Sequence, residues 1–218
     1  MNCNWQAIYA RARRSCGILA LVLLVPACTT LSALDSASRA LPSYELRPPA
    51  ARTTSARIAG GLFVDVPVSM GAFGTERVII KPSPLEVAYL PDARWIQPAP
   101  EHIQSLLAQT LSATGAMQFV TTRNVGPLPD YTLLTDIEAF QAEAGREPSD
   151  PVQVRTALTL SVVRDRDSRL MAIRRFERSA VTYDGSTPAI ISAFDAAMRP
   201  LLAEASAWVA GTASGGGT

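Results

Sequence analysis

The sequence predicts an α+β fold: a mainly antiparallel sheet with two helices packed on one face. Three observations carry that expectation. Residues 130–183 contain three long runs of alternating apolar and polar side chains joined by short polar turns, the pattern of an antiparallel meander with one solvated face. Residues 99–114 and 187–210 instead repeat their apolar residues at intervals of three and four, the period of a helix with one buried stripe. Everything before residue 43 lacks both periods and reads as leader and tether.

The leader comes first. Arg11, Arg13 and Arg14 precede the apolar run Cys16–Ala27, and no acidic residue occurs before Asp35. A basic start, an apolar run and a small residue before the cut make a secretory signal peptide, residues 1–27. Twelve residues span about 18 Å as a helix, short of the roughly 30 Å of a bilayer core. The sequence Val25-Pro26-Ala27-Cys28 resembles the lipobox of bacterial lipoproteins, in which the cysteine sulfur takes a diacylglycerol and becomes the new N-terminus. Pro26 stands where that box has a small or aliphatic residue. The alternative is an ordinary secretory leader with an incidental cysteine. More than one acyl chain on Cys28 would give stable anchoring. The box followed by Thr29 rather than aspartate implies the outer membrane, periplasmic face.

Removing the leader leaves 191 residues, enough for one core. The leader holds three of the 20 basic residues and none of the 19 acidic ones, so the mature chain carries 17 against 19. That balance offers no electrostatic footprint for nucleic acid and no polybasic patch for anionic lipid. Of Cys3, Cys16 and Cys28 the last alone survives processing, which excludes an internal disulfide and a cysteine metal site.

Residues 28–42, small and polar, form a flexible tether with a span of roughly 20 Å. Residues 43–211 are the domain. Ser43–Arg47 alternates as a short strand before Pro48-Pro49. Ile58–Val68 is a strand with Leu62, Val64 and Val66 on one face, and Gly60-Gly61 marks a bulge or close backbone approach. Gly71–Gly74 is a turn, too short to cradle a phosphate, and Arg77–Lys81 is the next strand. Leu85–Leu90 alternates again, with Leu85, Val87 and Tyr89 on one side, up to a Pro91-Asp92 turn. Pro98 and Pro100 open a helix whose stripe is Ile103, Leu106, Leu107, Thr110, Leu111 and Thr114, and Gly115 ends it. Met117–Thr122 is strand-like. Then come Asp130–Ala142, with Tyr131, Leu133, Ile137 and Ala139 opposite Leu134, Asp136, Glu138 and Phe140, and Val152–Val163, with Val152, Val154, Leu158, Leu160 and Val162 inward. Leu170–Tyr183 follows, with Leu170, Ala172 and Phe176 on one face. Ser186 or Thr187 caps a last helix, Pro200 kinks or opens it, Gly211 stops it, and residues 212–218 fray into a disordered tail.

Chemistry is sparse. His102 is the sole histidine, placed in the first turn of the first helix and expected at the surface; it has neither a thiol nucleophile nor a second histidine at metal spacing. Asp165 and Asp167 interleave with Arg164, Arg166 and Arg169 and read as a self-compensated turn rather than a calcium site. Asp136 and Glu138 share a half-exposed strand face and need no catalytic explanation. No catalytic set, metal site or cofactor is expected beyond the lipid on Cys28. Tyr89, Arg94 and Trp95 admit two readings: closure of the core beside the helix, or a partner-contact patch, since these residue types are enriched in interface hot spots.

Several features in order resemble the ABC-type transport auxiliary lipoprotein family, which includes paraquat-inducible lipoprotein C. They are the lipobox, Tyr44-Glu45-Leu46, Val66-Pro67 leading to Arg77, Tyr89 with Ala93-Arg94-Trp95 and Pro98, Asp130-Tyr131 with Leu133 and Phe140, and Ala193–Ala197 with Trp208. The resemblance implies a noncatalytic outer-membrane partner of a transport system with a permease, an ATPase and a periplasmic mammalian-cell-entry (MCE) domain protein. Its implied cargo is lipid or another hydrophobic compound. A homo-oligomer, ring-like to meet a tubular partner, accords with that role. The competing expectation is a periplasmic lipid-binding carrier with its own acyl-chain groove between the last helix and the sheet.

Overall fold

The computed structural model describes residues 41–50, 53, 58–69, 71–123, 125–145, 147 and 149–215. The chain divides into Met1–Leu41 and Pro42–Thr218, and every element below belongs to the second unit. The signal peptide, Cys28, nearly all of the tether, and residues 216–218 of the expected tail lie outside the described residues.

Among the described residues nine strands and two helices follow one another: β1 (Ser43–Tyr44), β2 (Ile58–Val64), β3 (Val68–Ser69), β4 (Arg77–Ser83), β5 (Glu86–Trp95), α1 (Ala99–Thr114), β6 (Met117–Thr121), β7 (Tyr131–Glu143), β8 (Val152–Arg164), β9 (Arg169–Thr182) and α2 (Thr187–Gly215). Single 3-10 turns occupy Gly71–Phe73 and Asp165–Asp167.

The sheet is organised on β7. One edge of β7 bonds β8 antiparallel along its whole length, and β9 continues that meander. The other edge is shared by three strands that run parallel to it in succession: β2 at Tyr131–Leu133, β3 at Asp136 and Ile137, and β4 at Ala142 and Glu143. Beyond β2 lies β6, parallel; beyond β4 lie β5, antiparallel, and β1, parallel to β5. The sheet is therefore mixed, not mainly antiparallel. Alternation marks a strand but not its partner: short turns forced the antiparallel pairs, while the parallel pairs form between segments far apart in the chain.

Two irregularities decide which side chains reach the core. Ile137 faces Leu158 but Ala139 faces Ala157, so Glu138 is an extra residue, a β-bulge. Because side chains alternate with period two, one extra residue reverses the faces. Phe140, expected opposite Tyr131 and Leu133, therefore joins them in the core. In β5 the expected Pro91-Asp92 break is instead part of one ten-residue strand, whose register jumps between Tyr89 and Arg94. Pro91 lies in that jump, where its missing N–H costs the ladder nothing. The adjoining hairpin tip is exposed on both faces: Leu85 is 98% exposed, Val87 and Tyr89 on the same side are also exposed, and so is Glu86 on the other. Val66 and Leu170, expected to share a face with Val64 and Phe176, are exposed while those two are buried.

Gly60 and Gly61 fulfil both expectations placed on them. The β2–β6 register shifts between Ile58 and Gly61. Gly60 holds φ +151°, with the Asp130 carboxylate 2.5 Å from where a Cβ would stand, and the Phe119 ring would be 2.0 Å from a Cβ on Gly61. Asp130 bonds this strand twice, donating its N–H to the Gly61 carbonyl at 2.9 Å and accepting the Gly61 N–H at 2.9 Å.

Helix α1 begins after Pro98 and ends at Gly115, whose φ of 64° permits the left-handed cap. Helix α2 runs through Pro200 and past Gly211 to Gly215, four residues beyond its expected stop. Tertiary packing overrides the glycine there: Ala213 is buried, and its carbonyl accepts the Tyr131 hydroxyl at 3.4 Å. Both helices join the sheet in one core. At its centre Trp95, Phe140 and Phe194 stack mutually with centroids 5.1–5.3 Å apart.

Candidate functional site

The segment leaving the expected tether crosses three elements in six residues. Pro42 and Tyr44 carbonyls accept the N–H groups of Arg94 and Ile96 at 3.1 and 2.9 Å. Leu46 buries its side chain and donates its N–H to Nε2 of His102 at 3.1 Å. Arg47 donates its N–H to Oδ1 of Asp195 at 3.1 Å and its Nη2 to Oδ2 at 2.8 Å. A strap is thus pinned to β5, α1 and α2 in turn.

His102 is the correction that matters most here. It is 2% exposed, not a surface residue, with the Trp95 ring nearly perpendicular to it at 5.6 Å between centroids. Its spacing of four from Leu106 and eight from Thr110 places it on the buried stripe of α1, and that spacing was the signal available in the sequence. Its bonding partner, Leu46, lies 56 residues away and left no local trace. Burial pushes the imidazole below its ordinary 6.5, while the Glu45 carboxylate acts the other way.

Trp95 takes the core reading at 1% exposure, and Tyr89 and Arg94 remain at the surface. Arg94 bonds the Ser43 hydroxyl at 3.0 Å and pairs with Glu76 at 3.1 Å, tying β1 to β4 and β5. The guanidinium of Arg77 lies 5.3 Å from the Tyr89 ring centroid. The structure therefore separates the three: Trp95 faces inward, Tyr89 and Arg94 outward.

Two of the acidic candidates, Asp167 and Glu138, are compensated by arginines. Arg164 grips Asp167 through Nε and Nη2 at 3.0 and 2.7 Å, which lowers the carboxyl below its usual range. Asp165 accepts the Thr132 hydroxyl at 2.8 Å. Glu138, raised on the bulge, accepts the Thr159 hydroxyl and Nε of Arg175, both at 2.5 Å, and both bonds lower its pKa. Arg175 continues to Glu177, and Glu177 to Arg155. Among the described residues no group of three His, Cys, Asp or Glu side chains could hold a metal ion.

The expected groove between the last helix and the sheet is filled, since Ile190, Phe194, Met198, Leu201, Leu202 and Val209 are all buried there. An opening exists instead where Pro49 and Ala50 approach α2: a cleft of about 320 Å³, also lined by Ala196, Arg199, Pro200 and Ala203. Pro200 has no N–H to offer the Ala196 carbonyl, so an acceptor without its helical partner stands in this wall. A second, open groove of about 560 Å³ lies beside β3 and the bulge, lined by Val68, Phe73, Asp136, Ile137, Glu138 and Thr159. Among the described residues no helix is long and apolar enough to cross a membrane.

A family described as the ABC-type transport auxiliary lipoprotein component matches residues 44–206, from β1 into α2. Among solved structures, a Xanthomonas campestris protein of family DUF330, XCC0632, superposes with a TM-score of 0.70 at 20% identity, covering 80% of this chain and 96% of its own. An uncharacterised protein superposes with a TM-score of 0.58 at 15% identity over 79% and 97%. The Chlamydia trachomatis hypothetical protein CT253 reaches 0.50 at 7% identity over 71% and 98%. These likenesses establish the fold. No curated protein matches the chain.

Proposed function

This chain belongs to the ABC-type transport auxiliary lipoprotein family, and on that premise we propose that it is a lipoprotein anchored through Cys28 to the periplasmic face of the outer membrane. There it serves as a noncatalytic accessory component of an MCE-type ABC system that moves lipid or other hydrophobic compounds. The family match over residues 44–206 carries the reading, and Val-Pro-Ala-Cys upstream supports the anchor. The domain would act by position and surface, with Tyr89, Arg94 and the exposed hairpin tip facing the MCE-domain partner. Crosslinking in cells and purification through a tagged chain should recover an MCE-domain protein; repeated recovery of none would refute the partnership. Radiolabelled palmitate should enter the unaltered chain and not a Cys28→Ala variant, and label in neither would refute the anchor.

The cleft beside Pro49 and Pro200 favours a second reading, a carrier that holds an acyl chain itself. Native mass spectrometry of the released domain distinguishes the two, because a carrier retains lipid mass and a docking subunit does not.

A further inference from the structure

We propose that Pro42–Arg47 is a proton-sensitive latch: neutral His102 fastens the strap to the body, and a protonated ring lets it go. A neutral imidazole has one donor and one acceptor, and Nε2 is occupied as acceptor by the Leu46 N–H. The proton of the neutral ring therefore sits on Nδ1, which is buried and has no hydrogen-bonding partner. Adding a second proton turns Nε2 into a donor facing the Leu46 N–H. Two donors oppose each other across 3.1 Å, and a cation sits at 2% exposure inside the core. Neither cost can be met while the strap stays in place.

The surrounding charges do not rescue the closed state. Glu45 on the strap attracts an imidazolium, but it is exposed and its attraction is screened. From α2, Asp195 is committed to Arg47, and Glu76, just before β4, is committed to Arg94 of β5. What remains to hold the strap is the buried Leu46 side chain, β1, two residues with a single neighbouring strand and a bond from Arg94 to the Ser43 hydroxyl, and the Asp195 clamp, whose Arg47 side chain is itself exposed. Lifting the strap off solvates the ring. Six residues released at roughly 3.3–3.6 Å each add about 20 Å of chain. That this chain becomes extra reach from a membrane rests on the Cys28 anchor; the latch itself does not.

Hydrogen exchange on the full chain in detergent micelles, corrected for intrinsic rates, tests the latch at about pH 7.5 and pH 5. The Leu46 and Arg47 amides should exchange about tenfold faster in acid relative to Leu133 and Leu160 in β7 and β8, whose protection should hold. In His102→Gln, whose amide oxygen can accept without titrating, the Leu46 amide should keep one protection at both pH values. Asp195→Asn, which spares the ring, should move the release toward neutral pH. Equal protection of Leu46 at both pH values overturns the latch. So does an acid response that survives in His102→Gln, or one shared by Leu133 and Leu160, which would be general acid unfolding. The Cys28→Ala chain should latch identically, so failure of the anchor and failure of the latch read out separately.

Discussion

The meander of β7, β8 and β9 and the arm of β2, β4, β5 and β6 share one sheet but are held differently. Each meander strand pairs with the strand next to it in sequence through an almost unbroken register. Apart from the β4–β5 hairpin, the arm pairs across the chain, and all its pairings are short stretches of two to four aligned residues, with shifts in β2–β6 and β4–β5. A long ladder spreads its stability over many equivalent pairs. The arm concentrates it in a few close approaches, Trp95 against Phe140 and Phe194, and Gly61 against Phe119. Damage in the arm should therefore cost more per residue altered.

The largest loss of stability is expected of Trp95→Ala. It empties the site where β5, β7 and α2 meet, and a buried tryptophan lost to alanine costs about 3–5 kcal/mol. Urea unfolding should show a lower midpoint at unchanged slope. An exposed apolar residue of the meander, Ile173→Ala, should stay within about 0.5 kcal/mol. If the two losses proved equal, stability would not be concentrated in the arm.

Gly61→Ala is next, at about 1–3 kcal/mol for overpacking against Phe119. Phe119→Ala in the same chain should recover most of that loss. Gly60→Ala should resist the same remedy: Asp130→Ala clears the space, but φ of +151° remains strained for any side chain. The double-mutant cycles separate a steric arm from a conformational one.

A pH titration of stability sharpens the contrast at the strap. The His102 pKa is lowered by folding, so the neutral ring is the form the fold favours. Its contribution is complete above the unfolded value of 6.5 and is lost as pH falls toward the depressed folded value. The urea midpoint of the unaltered chain should decline across that window, and His102→Gln should remove this part of the decline.

Local rules carried the meander and both helices into view, and long-range ones hid the arm. Alternation from Val152 onward, the Pro98 entry and the Gly115 exit of α1 each follow from residues within a turn or two. Parallel pairing of Leu62 with Tyr131, or of Ile80 with Ala142, follows from nothing nearby. The bulge at Glu138 is invisible for a related reason: one added residue leaves composition unchanged and reverses the faces, which is why Phe140 surfaces in the expectation and is buried in the fold. Of the candidate residues, Trp95 was legible as core or contact, and the fold chose. His102 was misplaced because a polar residue on an apolar stripe looks like surface until its partner, Leu46, is known.

The smallest effect belongs to the outer face of the meander, where Glu138, Arg175, Glu177 and Arg155 form a chain of ion pairs. Every member is more than a third exposed, so water screens each pair and side-chain ordering offsets much of the attraction. Arg175→Ala breaks two links at once and should still shift the urea midpoint least of these variants. The same variant should approach the unaltered chain in about 1 M salt, where the screening length falls to about 3 Å. Acid should act in the same sense, because Glu138 and Glu177 are both held below their ordinary 4.5, and whatever they add is present above that value and lost beneath it. A large, salt-insensitive loss would mean that these pairs fix the bulge at Glu138, and through it the inward turn of Phe140. The meander would then depend on a single irregular point as much as the arm does on Trp95.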